Sequence, residues 1–177
     1  MFKIVIKDSD IGYENQEFEI EKRRTASRGI VINEDKIALL YQAKRNEYKL
    51  PGGGVENDED PTETFLREIL EETGCKVKII KQLGTTEEFK FRQRFYQLSH
   101  VFISQLIEDT HSLHLTDEEI EEVSKPVWVS LDEAIDLISK SMEKFNLMSE
   151  EIRNRYYATR FMLKRDLEIL THYKNSI

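Results

Sequence analysis

GGVENDEDPTETFLREILEETGC, residues 53–75, decides how this chain is read. Gly52 to Gly54 follow Leu50-Pro51, an acidic loop comes next, and a short helix then carries Glu63, Glu68, Glu71 and Glu72. The helix is legible from its ends. Asp60 is a good N-cap, Pro61 suits the first helical position, and Glu63 completes a capping box. Gly74 is placed to close the helix in the left-handed conformation. At about 100° per residue, Phe65, Leu66, Ile69, Leu70 and Thr73 form one stripe. Glu68, Glu71 and Glu72 share an arc of roughly 100° on the other side. One face can pack on a core while three carboxylates crowd the opposite one.

That crowding is unfavourable unaided, since like charges one turn apart repel by a few tenths of a kcal/mol. A divalent cation would remove the repulsion. Hard ions such as Mg²⁺ take oxygen ligands and commonly join a few carboxylates to substrate phosphates. A solvated acidic face is the alternative that charge patterning alone leaves open.

The spacing goes further. The stretch resembles the Nudix box, the signature of the Nudix hydrolases, G-x5-E-x7-R-E-U-x-E-E-x-G-U, where U is a bulky aliphatic residue. Gly53, Glu59, Arg67, Glu68, Ile69, Glu71, Glu72 and Gly74 all match. Cys75 departs at the last position, where cysteine serves as a small hydrophobe. The resemblance implies an α/β (α+β) fold, a mixed sheet sandwiched between helices with the box helix packed on it. It also implies a Mg²⁺-dependent pyrophosphohydrolase, with Mn²⁺ as a substitute, that cleaves a phosphoanhydride in a nucleoside diphosphate linked to another group. A modified nucleoside triphosphate is one such substrate.

The chemistry suits the residue types. Attack of water at phosphorus needs phosphate charge neutralised, the water aligned and a proton removed. Metal ions held by carboxylates serve all three needs. By the resemblance, Glu68, Glu71 and Glu72 are the metal ligands, joined by the backbone at Gly53. Glu59 supports catalysis or metal binding, and Arg67 orients a carboxylate, with Glu59 the candidate partner. Glu118, Glu119, Glu121 and Glu122 in TDEEIEEV are candidates for a general base on a later loop, set against a solvated helical face. The His111–His114 pair is a weak metal signal beside a plain polar loop.

Composition bounds the rest. A chain of 177 residues with 39% hydrophobic and 10% aromatic residues supports one domain with a sizeable core. A net charge of −8 argues against a general grip on nucleic acid. One cysteine excludes an intrachain disulfide and a cysteine-based metal site. No apolar run approaches the roughly 18 residues of a membrane span, and MFKIVIKDSD lacks a secretory pattern, so cytoplasm is the expected compartment.

Along the chain, Phe2 to Lys7 and Glu17 to Lys22 alternate apolar and polar residues and predict an N-terminal hairpin within an extension, residues 1–24. The core spans residues 25–140. Thr25 to Ile32 and Lys36 to Gln42 read as a hairpin through Asn33-Glu34-Asp35. Lys76 to Gln82 is a strand, Gly84-Thr85-Thr86 a break or bulge, and Glu88 to Phe91 pairs with Arg94 to Leu106. Pro126 to Ser130 is a short strand, and Ser130 caps a helix from Leu131 to about Ser139. A long C-terminal helix lies within 145–177, with Met148 to His172 as its periodic part. The N-terminal strands and the resemblance leave a homodimer open.

Substrate recognition is less defined. Arg28, Lys44, Lys90, Arg92 and Arg94 are candidate phosphate binders, and Tyr41, Tyr48, Phe89, Phe91, Phe95 and Tyr96 candidate base-stacking groups. Relatives specialised for ADP-ribose often carry a proline some fifteen residues after the box. Phe89 to Arg92 has none, which disfavours that substrate. A nucleotide-sensing domain without catalysis and a diphosphate isomerase on the same fold are the alternatives, since fold does not fix chemistry. The intact box favours hydrolysis.

Overall fold

The box helix forms as read: α1 spans Pro61–Thr73. The Asp60 carboxylate accepts the Thr62 and Glu63 amides at 2.6 and 3.1 Å, and Glu63 returns the bond to the Asp60 amide at 3.0 Å. Gly74 ends the helix at φ 71°, its amide donating to Leu70. The computed structural model describes residues 1–121 and 124–177, and of Glu118 and Glu119 the backbone alone.

Among the described residues, the chain forms the strands β1 (Phe2–Ile6), β2 (Lys22–Asn33), β3 (Lys36–Gln42), β4 (Glu47–Lys49), β5 (Gly52–Gly54), β6 (Cys75–Lys90), β7 (Phe95–Asp109) and β8 (Ser124–Ser130). Helices α2 (Asp117–Glu121), α3 (Leu131–Asn146), α4 (Glu150–Arg155) and α5 (Tyr157–Lys174) follow α1. The sheet runs β1-β6-β7-β2-β3-β4, with β5 added to β2 and β8 to β3. It is mixed: β2 lies parallel to β7, β1 parallel to β6, and the remaining pairs are antiparallel. Ala26 to Val31 of β2 are all buried, as a strand covered on both faces must be.

Each face of the sheet has its own core. On one side Phe65 and Ile69 of α1 pack with Val31, Ala38, Cys75, Val77 and Phe102. Each of these two α1 side chains is fully buried, which stabilises by about 2 kcal/mol apiece. Leu66, read into the same stripe, is 40% exposed at its edge. On the other side α3 and α5 bury Ile138, Phe145, Phe161, Leu163 and Ile169 against Ile30, Leu39, Val101 and Ile103. The sandwich expected from the sequence is therefore present, with α5 as well as α3 opposite the box helix. Among the described residues no helix is long and apolar enough to cross a membrane.

Some expectations are corrected. The N-terminal hairpin does not form. Phe2–Ile6 instead runs parallel to Gly84–Glu88 of β6, which buries Ile4 and Ile6 in the α5-side core. Residues 15–21 form no strand, and their glutamates 17, 19 and 21 stay exposed until Lys22 joins β7. The two strands read between 76 and 91 are one long β6, with a register shift between Gln82 and Gly84 where a break was read. Helix α3 continues past Ser139 to Asn146, because Met142 and Phe145 extend its apolar face. The long C-terminal helix is divided at Tyr156 into α4 and α5. There Tyr157 Oη donates to Asp8 at 2.8 Å and ties the start of α5 to the short turn at Asp8–Ile11.

Candidate active site

Pairing of β5 with β2 sets Gly52, Gly53 and Gly54 opposite Arg28, Ser27 and Ala26. Ser27 Oγ donates to the Pro61 carbonyl at 2.6 Å, so the same strand anchors the start of α1. This brings the glycine loop down onto the acidic face of the helix. The Glu68 carboxylate occupies the space that a Cβ on residue 53 would need. Glycine is required at 53 for that approach.

Arg67 organises the acid cluster. Its Nε and Nη2 grip Glu59 Oε1 and Oε2 at 2.7 and 3.0 Å, a two-pronged pair with the partner that the resemblance implied. Nη1 donates to Glu68 at 2.9 Å and Glu71 at 3.0 Å, and Nη2 also reaches the Gly54 carbonyl at 3.1 Å. Arg67 holds the Glu59 carboxyl down at about 2, with help from the Thr64 hydroxyl. Glu59, followed by Glu68 and Glu71, raises Arg67 above its ordinary value.

Glu72 is buried. Its Oε2 accepts the Gly52 amide at 2.6 Å and its Oε1 the Lys49 ammonium at 3.0 Å. Glu68 and Glu72, together with Gly53, line a cleft of about 600 Å³. Glu71 lies beside this cleft, partly exposed, and its carbonyl accepts the His114 amide at 2.9 Å. Among the described residues no three Asp, Glu, His or Cys side chains stand close enough to hold an ion by themselves. The box carboxylates are held by cations and amides of the chain.

Apart from Glu56, the other charged residues of the cleft are basic. Arg24, Arg28, Arg45, Lys49, Lys90 and Arg165 line it. Beneath them, burial alone would raise the Glu88 carboxyl, but Arg165, Lys90 and Arg28 bring it down to about 2. Arg28 is lowered to about 10 by burial and by the charge of Arg165. The cationic groups can hold a phosphate chain at several points at once beside the acidic wall.

Of the basic candidates read from the sequence, Arg28 and Lys90 reach the cleft. Arg92 instead bonds Asn154 at 2.6 Å, Arg94 pairs with Glu21, and Lys44 is an exposed residue outside it. The aromatic candidates pack together elsewhere, Tyr41 on Tyr48, Phe89 on Tyr96 and Phe91 on Phe18. Phe95 lies under the Lys90 ammonium at 5.2 Å from its ring centre. His111 sits in a loop beside Asp109 rather than on a helix. Of the base candidates, Glu121 is exposed at the end of α2, while Glu122 and the side chains of Glu118 and Glu119 lie outside the described residues. Sequence reasoning missed Arg24, Arg45, Lys49 and Arg165. Arg24 could have been found, since it lies four residues from Arg28 on one strand face.

Comparison with known proteins bears on the family and the fold. The family model described as the NUDIX domain matches residues 22–149. Mouse diphosphoinositol polyphosphate phosphohydrolase 3-alpha is 26% identical over 106 residues, 59% of this chain and 61% of that protein. The chain thus spans about three fifths of the length of the curated relatives it matches. Among solved structures, a NUDIX hydrolase from Nitrosomonas europaea aligns with TM-score 0.56 at 20% identity, over 66% of this chain and 78% of the other. A MutT NUDIX hydrolase from Burkholderia pseudomallei aligns with TM-score 0.51 at 19% identity, over 63% and 86%. These two share the fold.

Proposed function

This chain belongs to the NUDIX family, and from that premise we propose that it is a Mg²⁺-dependent pyrophosphohydrolase cleaving a phosphoanhydride bond in a nucleoside diphosphate derivative or a comparably phosphorylated small molecule. The carrying observation is that Glu68 and Glu72 line, with Gly53, a cleft that six cationic side chains also line. The donor set suits a hard divalent ion, being oxygen throughout, and Gly53 leaves the Glu68 carboxylate room beside the backbone. Glu68, Glu72 and Gly53 would hold the ion from the cleft side, with Glu71 completing the acidic set through Arg67, which it shares with Glu68. When bound, the ion supplies charge neutralisation at phosphate and a more acidic water.

The chain's own residues do the rest. Arg67 orients Glu59, Glu68 and Glu71 and keeps Glu59 ionised. The Gly52 amide and Lys49 fix Glu72. Arg24 and Arg45 draw the phosphates into the cleft and fix their orientation. The name of the mouse relative, a diphosphoinositol polyphosphate phosphohydrolase, adds densely phosphorylated substrates to the nucleotides worth testing. Six cations about one cleft suit such a ligand. The cytoplasm is the compartment in which we place this reaction.

The test is turnover across a panel of nucleotides and inositol pyrophosphates with Mg²⁺ or Mn²⁺, in wild type and Glu72→Gln. Metal-dependent release of phosphate or a monophosphate is expected. The variant should lose at least a hundredfold, equivalent to about 2.7 kcal/mol of transition-state stabilisation. Equal turnover by both proteins would remove Glu72 from the reaction.

A further inference from the structure

The deepest part of the cleft carries more charge than the reaction above uses. Arg28 reaches it from β2, Lys90 from the end of β6 and Arg165 from α5, and they are 5%, 7% and 3% exposed. Two buried carboxylates accompany them. Glu88 pairs with Arg165 and Lys90, each at 3.2 Å. Asp166 pairs with Arg165 Nε at 2.8 Å, and its other oxygen is taken by the Leu50 amide at 2.9 Å. Among the described residues, this group holds three buried cations against two buried carboxylates, an excess of one positive charge. Two donors are also left over: among the described residues, Arg28 Nε and Arg165 Nη2 are buried without a hydrogen-bond acceptor. Buried charges and buried donors are ordinarily paired. Here the surplus charge and both surplus donors belong to side chains that line the same cleft.

From this arrangement we infer that the cleft floor is a phosphoryl-binding subsite, built by the Arg28 and Arg165 guanidiniums with Lys90 and separate from the carboxylates of the box. A phosphoryl group can accept from two forks and an ammonium together, whereas a carboxylate offers only two oxygens. Arg165 lies on α5, beyond the residues that the family model matches, so the C-terminal helix brings a ligand-binding group to the matched domain. The inference depends on the proposed reaction only in taking this cleft as the substrate's. A substrate would place there a phosphate other than the one attacked.

The test is calorimetric titration of inorganic phosphate into metal-free, chloride-free protein in EDTA, with thermal unfolding measured alongside. Wild type should bind phosphate saturably and melt higher in its presence. Arg28→Gln, a position with no hydrogen bond to the chain at its buried Nε, should bind at least tenfold more weakly and melt no lower than wild type without phosphate. Glu72→Gln should bind phosphate as wild type does, so a failure of turnover and a failure of this subsite are read separately. The inference falls if wild type shows no saturable binding or if Arg28→Gln binds equally well. It falls too if Arg28→Gln unfolds or melts lower without phosphate, since Arg28 would then be a structural support. A second titration, with non-hydrolysable bis(methylene)triphosphonate, identifies the source of the phosphoryl group. Affinity that rises with Mg²⁺ in wild type beyond the rise in Glu72→Gln marks a substrate phosphate reaching from box to floor. An equal rise in both proteins marks a free phosphate.

Discussion

Arg67 and Glu59 are joined by two parallel hydrogen bonds, 2.7 and 3.0 Å long, although eight residues separate them in sequence. The pair closes the acidic loop onto α1 and leaves Nη1 free to serve Glu68 and Glu71. A lysine at 67 would carry the charge but not the fork. Arg67→Lys should therefore fold and bind phosphate, yet lose about 10- to 100-fold in kcat, the usual consequence of releasing groups that orient a metal's ligands. Steady-state kinetics with the best substrate of the panel checks this, and a kcat within twofold of wild type would contradict it.

The same pair predicts a pH effect. The Glu59 carboxyl is held at about 2 by Arg67, below the ordinary 4.5. A carboxyl depressed by folding stabilises the fold above its unfolded value, and the contribution is lost as pH falls from about 4.5 towards 2. Thermal melts of wild type and Glu59→Gln should differ most above pH 5 and converge as the pH approaches 2. A constant offset across that range would place the effect of the substitution elsewhere.

Glu88 makes a stronger claim on stability, because its environment is buried throughout. It accepts Gln97 at 2.7 Å and faces Arg165 and Lys90. Glu88→Gln would leave the buried cations with a single carboxylate, Asp166. Breaking a buried pair from one side costs about 3–5 kcal/mol. Denaturant unfolding should report a loss of that size, and phosphate should restore part of it.

The sequence made the box helix legible to the residue, because caps, periodicity and spacing all act locally. It also made legible which carboxylates gather on one face, and the Arg67–Glu59 pair. It did not separate Glu71, which lies beside the cleft, from Glu68 and Glu72, which line it, because loop 52–54 decides that by its approach to α1. Strand β1 was legible as a strand but not in its partner, since period-two alternation is silent about whether a neighbour is parallel or antiparallel. Arg165 was invisible for a related reason. On a helix read only by its apolar period over Met148 to His172, a buried arginine carries no local mark, and Glu88, which pairs with it across the cleft floor, lies far away in sequence.

Removing the metal should abolish turnover without unfolding the protein. The box carboxylates are already compensated by Arg67, Lys49 and the Gly52 amide. With EDTA the melting temperature should stay within about 5 °C of the Mg²⁺-loaded value, the range expected when an ion at roughly tenfold its dissociation constant is withdrawn. A collapse of the fold in EDTA would mean that the ion is a structural element.

Two glycines of the box should respond in opposite ways to the same change. At Gly74 the backbone holds φ 71°, and an added Cβ would lie 2.9 Å from the Ser112 carbonyl oxygen. Gly74→Ala therefore costs about 1–2 kcal/mol for the left-handed conformation, which lowers the melting temperature by about 2–8 °C. At Gly53 the backbone is ordinary and the obstacle is the end of the Glu68 side chain, which can swing aside. Gly53→Ala should keep the fold but move Glu68 from the cleft wall, with turnover falling about a hundredfold and the Mg²⁺ requirement shifting to higher concentration. Melting curves and Mg²⁺ titrations of activity on both variants decide the matter. If Gly53→Ala melts low and retains its Mg²⁺ requirement, the approach of Gly53 to Glu68 serves the fold and not the reaction.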